Sequence, residues 1–131
     1  MDHAAIASAY DRIAERWLDD RFDRSNGVRQ HALALRFLDG AGTGWALDVG
    51  SGCSTRFHSL LRGHGLRIEG IDVSARMLAL ARAADPRIVL HQADVRTWRP
   101  ARRYRFISAW DSIWHVALED QRGVMHKLMG R

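Results

Sequence analysis

The sequence predicts an α/β fold in which helices cover both faces of a parallel sheet. Short apolar runs, typical of buried strands, alternate along the chain with longer segments that have helical spacing. Glycines or helix-capping residues separate these segments. Such alternation indicates β-α-β units and therefore parallel strands. At 131 residues the chain has the size of one domain, and we expect residues 1–131 to form a single unit.

Two helices are predicted ahead of the first strand, over residues 4–22 and 28–39. In the first helix, Ile6, Tyr10, Ile13 and Trp17 are spaced as one apolar stripe, which indicates a core face. From this face, Tyr10 or Trp17 can reach a ligand. The second helix is followed by Gly40, a residue typical of helix C-termini.

The remaining elements alternate in type. We predict strands over residues 45–49, 66–72, 87–91 and 104–110, and helices over residues 55–64, 75–84 and 118–129, with Ser74 as the N-cap of the second of these helices.

Composition excludes several classes of protein. No run of about 18 apolar residues exists, which excludes a membrane-spanning helix, and the N-terminus lacks the apolar segment of a secretory signal. A single cysteine, Cys53, excludes an internal disulfide and predicts a reducing, cytoplasmic compartment. The seven histidines show no metal-ligand spacing with it, so no metal site is predicted. The net charge is +5, and almost all of the basic residues are arginines. This abundance of arginine is weak evidence for a nucleic-acid partner.

The carboxyl end of the first predicted strand has the features of a ligand-binding turn. Asp48 is followed by Gly50, Ser51 and Gly52, and the glycines allow a tight turn and a close approach to a ligand. A dinucleotide-binding loop needs Gly or Ala three residues after the second glycine, where this chain has Thr55, and Asp48 disfavours a nearby phosphate. The loop therefore favours a ligand with a cationic amino group and no phosphate, such as S-adenosylmethionine.

The other strand ends supply partners for a nucleoside, because ligands bind beyond the carboxyl ends of parallel strands. Asp72 follows the second strand, and its carboxylate can accept hydrogen bonds from both hydroxyls of a ribose. Asp94 and Val95 follow the third strand, and a carboxylate beside a backbone N–H can bind an amino group and a ring nitrogen of a base. Trp110 is the last residue of the predicted fourth strand, and Asp111 follows it.

Four segments in this order resemble the motifs of the class I S-adenosylmethionine-dependent methyltransferases, which have a Rossmann-like fold. Residues 47–57 (LDVGSGCSTRF) are similar to the first motif, residues 69–82 (EGIDVSARMLALAR) to the second, residues 91–98 (HQADVRTW) to the third and residues 104–116 (YRFISAWDSIWHV) to the fourth. Residues 10–17 (YDRIAERW) resemble the helix that covers the cofactor in many bacterial members.

The resemblance implies a site for the methionine part of the cofactor. Gly50, Ser51 and Gly52 would approach it through their backbone. Asp48 would support the loop and the ammonium group, and Trp110 would line the site beyond the fourth strand.

The resemblance also implies a site for the adenosine part. Asp72 would bind the ribose hydroxyls, Val73 and Met77 would pack on the adenine, and Asp94 and Val95 would contact the adenine edge.

The chain departs from the family pattern in three places. Ser54 stands where members usually have a third glycine, and Arg105 stands where an acid is common. The family fold has seven strands, whereas only four are predicted here. We therefore expect the fourth strand, residues 104–110, to be an exposed edge through which two chains form a homodimer or aggregate. We also expect weak or absent turnover.

The function predicted is methyl transfer from S-adenosylmethionine to a small molecule. Such catalysis needs mainly in-line positioning and exclusion of water. His115 and Asp111 are the candidate bases, needed only if the acceptor must lose its proton early. Two alternatives stay open: a cofactor-binding or interaction module without activity, and a nucleic-acid methyltransferase that uses the five arginines within residues 96–105.

Overall fold

The computed structural model describes residues 2–18, 25–38, 42–110, 112 and 116–130. Within them, a four-stranded parallel sheet has helices packed on both faces. This arrangement confirms the predicted fold class.

Five α-helices and four strands follow one another along the described residues, and a short 3₁₀ segment continues the first helix. The helices are α1 (His3–Ile13), α2 (Val28–Leu35), α3 (His58–Gly63), α4 (Ala75–Ala84) and α5 (Leu118–Leu128), the 3₁₀ segment is Ala14–Leu18, and the strands are β1 (Gly44–Val49), β2 (Leu66–Asp72), β3 (Val89–Gln92) and β4 (Phe106–Ser108).

The strand order places the first strand inside the sheet and the fourth at an edge. The order is β3-β2-β1-β4, and all three neighbouring pairs are parallel. In the register, Asp48 at the end of β1 lies between Gly70 of β2 and Ser108 of β4. The carboxyl ends of β1 and β2 therefore meet at one edge of the sheet, where a ligand site is expected.

Two apolar clusters bury the two faces of the sheet. On one face Ala46 and Ile68 pack with side chains of α2, α3 and α4, among them Leu35 and Leu61. On the other face Leu47, Val49 and Ile71 pack with Val124 of α5. Because both faces are covered, the central strands are almost continuously buried, as in other sheets of this type.

Helix boundaries differ from the predictions where loop residues find side-chain partners. The predicted helix over residues 4–22 ends as an α-helix at Ile13 and tightens into the 3₁₀ segment; its last four residues lie outside the described part of the chain. α3 begins at His58 rather than at residue 55, because the Ser54 hydroxyl accepts a hydrogen bond from the Arg56 N–H and keeps this stretch in the loop. Ser74 caps α4 as predicted, with its hydroxyl accepting from the Met77 N–H.

Two strands also differ from the predictions: β3 is displaced along the chain, and β4 is shorter. β3 begins two residues later than predicted, because the Arg87 N–H binds the Asp85 carboxylate and belongs to the preceding turn. β4 covers three residues rather than seven. Its pairing with β1 ends at Asp48, where β1 itself gives way to the glycine loop.

No helix in the described ranges is long and apolar enough to cross a membrane.

Candidate functional site

A cavity of about 170 Å³ opens at the carboxyl ends of β1 and β2. Nine of the ten residues predicted for the cofactor line it: Gly50, Ser51, Gly52, Asp72, Val73, Met77, Asp94, Val95 and Trp110. The sheet topology explains this convergence, since these residues follow four different strands that end at the same edge.

The glycine loop forms the floor of the cavity. Gly50 and Gly52 have φ values of +69° and +60°, which only glycine adopts readily. A Cβ atom on Gly50 would lie 2.3 Å from the Cβ of Ser112, so a side chain does not fit there. At Gly52 the surrounding space is open, which leaves the backbone accessible from the cavity.

Asp72 fixes this loop to the start of α4. One carboxylate oxygen accepts a hydrogen bond from the Gly52 N–H at 2.8 Å, and the other accepts from the Ser74 N–H at 2.9 Å. A carboxylate has about four lone-pair positions. The same side chain can therefore organise the loop and accept hydrogen bonds from a ligand.

Asp94 follows β3, the strand next to β2, also lines the cavity, and is held as a carboxylate by its neighbours. Burial alone would raise the pKa of Asp94, but hydrogen bonds from the side chain and backbone of Arg96 outweigh it and lower the pKa below the usual value. His3 of α1 lies 3.6 Å from the same carboxylate. Asp94 thus presents a fixed, ionised acceptor to the cavity.

Asp48 differs from the other nine predicted residues. It does not line the main cavity, but a separate cavity of about 20 Å³ behind the glycine loop. Its side chain is buried, and this burial raises the pKa of Asp48 to about 7, although the positive charge of Arg56 opposes the shift. A contact between Asp48 and a ligand's ammonium group stays a prediction.

Helix α1 supplies a wall of the cavity that sequence reasoning found only in part. Tyr10 lines the cavity as anticipated, but His3 and Ile6 were missed. The apolar stripe showed that Ile6 is buried; it could not show that one end of this stripe faces a ligand site. Asp2, directly before His3, caps α1 by accepting a hydrogen bond from the Ala4 N–H, and this role gives no sign that His3 faces a cavity.

Asp11 anchors α1 to the start of α4. Its carboxylate accepts hydrogen bonds from the Ser74 hydroxyl at 2.5 Å and from the Arg76 N–H at 3.1 Å, and these bonds lower the pKa of Asp11. Arg76 in turn contacts Glu15 at 2.6 Å. The wall is therefore joined to the helix that follows Asp72.

The opposite end of the cavity is shaped by Trp110 and the turn before α2. Gly27 has a φ of +84°, and a Cβ atom there would lie 2.8 Å from the indole ring of Trp110. Asn26, Arg56 and Ser112 also line this end. None of these four residues was predicted: Asn26 and Gly27 are remote in sequence from the strand ends, and Arg56 and Ser112 lie in loops after β1 and β4 but carried no distinct signal.

A buried histidine holds this end together. His31 donates from Nδ1 to the Gly27 carbonyl at 2.7 Å, so its Nε2 accepts from the Ser108 hydroxyl at 2.6 Å. Its ring stacks on Phe57 at a centroid distance of 3.6 Å and meets the edge of Trp110. Burial lowers the pKa of His31, which favours the neutral ring that this bonding pattern requires.

The two candidate bases, Asp111 and His115, lie outside the described residues. Their proposed role stays a prediction. Among the residues that the structure does describe, no group of three potential metal ligands is present.

Three of the five arginines between residues 96 and 105 have partners within the chain. Arg96 binds Asp94, and Arg105 donates to the Gly42 carbonyl at 2.8 Å. Arg102 lies 2.9 Å from the buried Glu69 carboxylate and stacks 3.8 Å above the ring of Trp45. These contacts favour the structural interpretation of the loop over a nucleic-acid surface.

The parallel sheet, with a glycine loop and a cavity at the carboxyl ends of its strands, defines an α/β protein of the Rossmann-like class. The family described as "Methyltransferase domain" matches residues 46–130. The chain belongs to this methyltransferase-domain family.

Two curated relatives and one solved structure illustrate the likeness. The chain is 38% identical over 72 residues to the dTDP-3-amino-3,6-dideoxy-alpha-D-glucopyranose N,N-dimethyltransferase of Streptomyces fradiae, a match that covers 54% of this chain and 28% of that protein. It is 37% identical over 89 residues to the trans-aconitate 2-methyltransferase of Azoarcus sp. (strain BH72), covering 65% and 35%. The magnesium protoporphyrin IX methyltransferase of Synechocystis PCC 6803, solved with bound SAM, superposes with a TM-score of 0.79 at 14% identity, covering 99% of this chain and 72% of that one.

The last likeness is one of fold alone. The matched regions span about a third of the length of the two curated relatives.

Proposed function

We propose that this chain binds S-adenosylmethionine as the cofactor domain of a methyltransferase that acts on a small molecule. The observation that carries the proposal is that two carboxylates, Asp72 and Asp94, line the same cavity as the Gly50–Gly52 loop. The two carboxylates suit ribose hydroxyls and an adenine amino group, and the accessible loop suits the methionine part. The family membership supports the same assignment.

The residues at the site fit this cofactor, and Asp48 and Thr55 disfavour one that carries a pyrophosphate. In this proposal the Gly50–Gly52 backbone holds the methionine part, Val73 and Met77 pack on the adenine, and Val95 contacts its edge. Bound S-adenosylmethionine supplies a methyl group already activated by a sulfonium centre. The chain's task is then to orient the cofactor and to exclude water, which the wall of α1 and the ring of Trp110 serve.

A small-molecule acceptor is supported by the curated relatives, whose names specify an amino sugar nucleotide and trans-aconitate. A nucleic-acid acceptor is disfavoured, because Arg96, Arg102 and Arg105 are engaged within the chain. Asp111 and His115 remain the proposed bases. A reducing, cytoplasmic location is proposed from the single cysteine, Cys53, which is unpaired and buried.

We also propose that two copies of the chain associate through β4. Within the described residues this strand pairs only with β1, so its outer edge offers N–H and C=O groups to another strand. Exposed apolar side chains lie on the helices of both faces, among them Phe37 just after α2 and Leu118 and Met125 of α5.

Direct competition tests the proposed function. We expect the chain to bind S-adenosylhomocysteine in calorimetric titrations and to prefer it to NADH, because Thr55 and Asp48 disfavour a pyrophosphate at the loop. Tighter binding of NADH would refute the assignment. Steep salt dependence of binding to RNA would instead support the nucleic-acid alternative.

A further inference from the structure

The carboxylate of Asp48 is buried, and no hydrogen-bond or ion-pair partner for it lies within the part of the chain that the structure describes. Its side chain is 7% exposed. Buried carboxylates are usually ionised only where donors or cations compensate for the loss of water. A carboxyl group in this position is therefore able to hold a proton near neutral pH.

Asp48 lies beside the proposed cofactor site, because the small cavity that it lines adjoins the main one. The small cavity that it lines has room for about one water molecule. This cavity and the main one share the residues of the wall between them, which are Gly50, Ser51, Ser54, Arg56 and Trp110. A charge on a ligand over the glycine loop is therefore close to Asp48, with little water between them.

The charged and titratable groups around Asp48 leave its ionised and protonated forms nearly equal in free energy near neutral pH. Arg56, from the loop after β1, favours the ionised form, whereas Asp72 at the end of β2 and burial both oppose it. From the side of β4, the neighbour of Asp48 is Ser108, whose hydroxyl is bound to the neutral ring of His31. These influences leave the pKa of Asp48 at about 7 in the chain without ligand.

S-Adenosylmethionine and its product differ in charge at the sulfur. The cofactor carries a sulfonium cation, and S-adenosylhomocysteine carries a neutral thioether; both have the same ammonium and carboxylate groups. A low-dielectric wall strengthens the interaction of a buried carboxylate with the additional positive charge.

We propose that Asp48 determines the preference for the cationic cofactor over its neutral product by exchanging one proton with solvent. In this proposal, which rests on the proposed function, Asp48 releases its proton to solvent when S-adenosylmethionine binds and becomes the buried counter-charge of the sulfonium. No covalent bond to the cofactor changes in this step. Once the methyl group has left with its positive charge, Asp48 takes a proton back from solvent and the product is held less tightly.

Calorimetric titration of the whole chain in two buffers of different ionisation enthalpy measures the protons released. For a group that titrates near 7 and is ionised in the complex, we expect release of about 0.9 proton per S-adenosylmethionine at pH 6 and about 0.5 at pH 7. The affinity should rise about fivefold over the same interval. S-Adenosylhomocysteine should release fewer protons and show a weaker pH dependence.

Two variants isolate the role of Asp48. Asp48→Asn keeps the size of the side chain but has no proton to release, so its binding should lack the linked proton and its preference for the cofactor should not change with pH. Asp94→Asn removes a carboxylate that is already ionised, so it should weaken binding without changing the number of protons released by Asp48. His31, which also titrates near the site, is retained in both variants and cancels in the comparison.

The results that would overturn the role of Asp48 differ from those that would overturn the proposed function. Equal proton release for S-adenosylmethionine and S-adenosylhomocysteine, or unchanged release in Asp48→Asn, overturns the role of Asp48 and leaves the proposed function standing. If Asp48→Asn does not fold, the comparison of the two ligands with the unmodified chain still decides. Binding of neither ligand overturns the proposed function, and this inference with it.

Discussion

Replacing Asp72 with alanine should weaken ligand binding and destabilise the fold at the same time. The carboxylate accepts the Gly52 and Ser74 N–H groups at 2.8 and 2.9 Å, and both donors lose their partner in Asp72→Ala. Leaving two partly buried donors unsatisfied lowers the free energy of unfolding by about 2–4 kcal/mol. Loss of the charged acceptor for ribose hydroxyls should cost a further 1.5–3 kcal/mol of binding free energy, about 10- to 150-fold in Kd.

Calorimetric titration with S-adenosylhomocysteine measures the affinity, and urea unfolding of the ligand-free chain measures the stability. Asp72→Asn is the matched control, because it keeps the side-chain volume and one acceptor oxygen but removes the charge. We expect this control to lose less stability than the alanine variant and most of the same affinity. Lower stability with unchanged Kd in both variants would show that Asp72 only organises the loop, and would refute its role in binding ribose.

Two further predictions concern the stability and the association of the chain. His31→Phe removes the hydrogen bonds to Gly27 and Ser108 and should lower the free energy of unfolding by about 1–3 kcal/mol in urea; an unchanged midpoint would contradict the role of His31. Because burial lowers the pKa of His31, the unfolded chain binds more protons than the folded chain below about pH 6.5. Stability should therefore decrease as the pH falls from about 6.5, and His31→Phe should lose less over this interval. In sedimentation equilibrium the chain should self-associate through β4. A stable monomer at high concentration would contradict association through the outer edge of this strand.

Most of the fold was predictable because local signals and tertiary packing agree. The apolar run over residues 45–49 forms β1, Ser74 caps α4, and residues 66–72 form β2 with the predicted bounds. The strand at residues 104–110 was overestimated, because an apolar pattern does not report where the pairing partner ends.

The candidate site was predictable where residues follow strands and not where they come from elsewhere. Gly50, Gly52, Asp72 and Asp94 line the cavity because parallel strands bring their carboxyl ends together, a property of the topology that the sequence pattern specifies. His31 could not be found in this way. Its partners lie four residues and 77 residues away along the chain, and its helical position is the same as that of an ordinary core residue.

The separate behaviour of Asp48 was also not predictable. The sequence places it at a strand end like Asp72, and only the packing shows that one carboxylate faces the main cavity while the other lies behind the loop.

The division of the cavity between α1 and the sheet has a consequence for how ligand preference can diverge in this family. The family match begins at residue 46, yet His3, Ile6 and Tyr10 close one side of the cavity from far upstream. The matched region carries the loop and the two carboxylates, whereas the upstream helix is joined to it by the bonds of Asp11, the contact of His3 with Asp94 and the apolar cluster of Ala14, Cys53 and Met77. Substitutions in α1 can therefore retune how tightly the site closes, and how fast a ligand leaves, without any change in the residues by which the family is recognised.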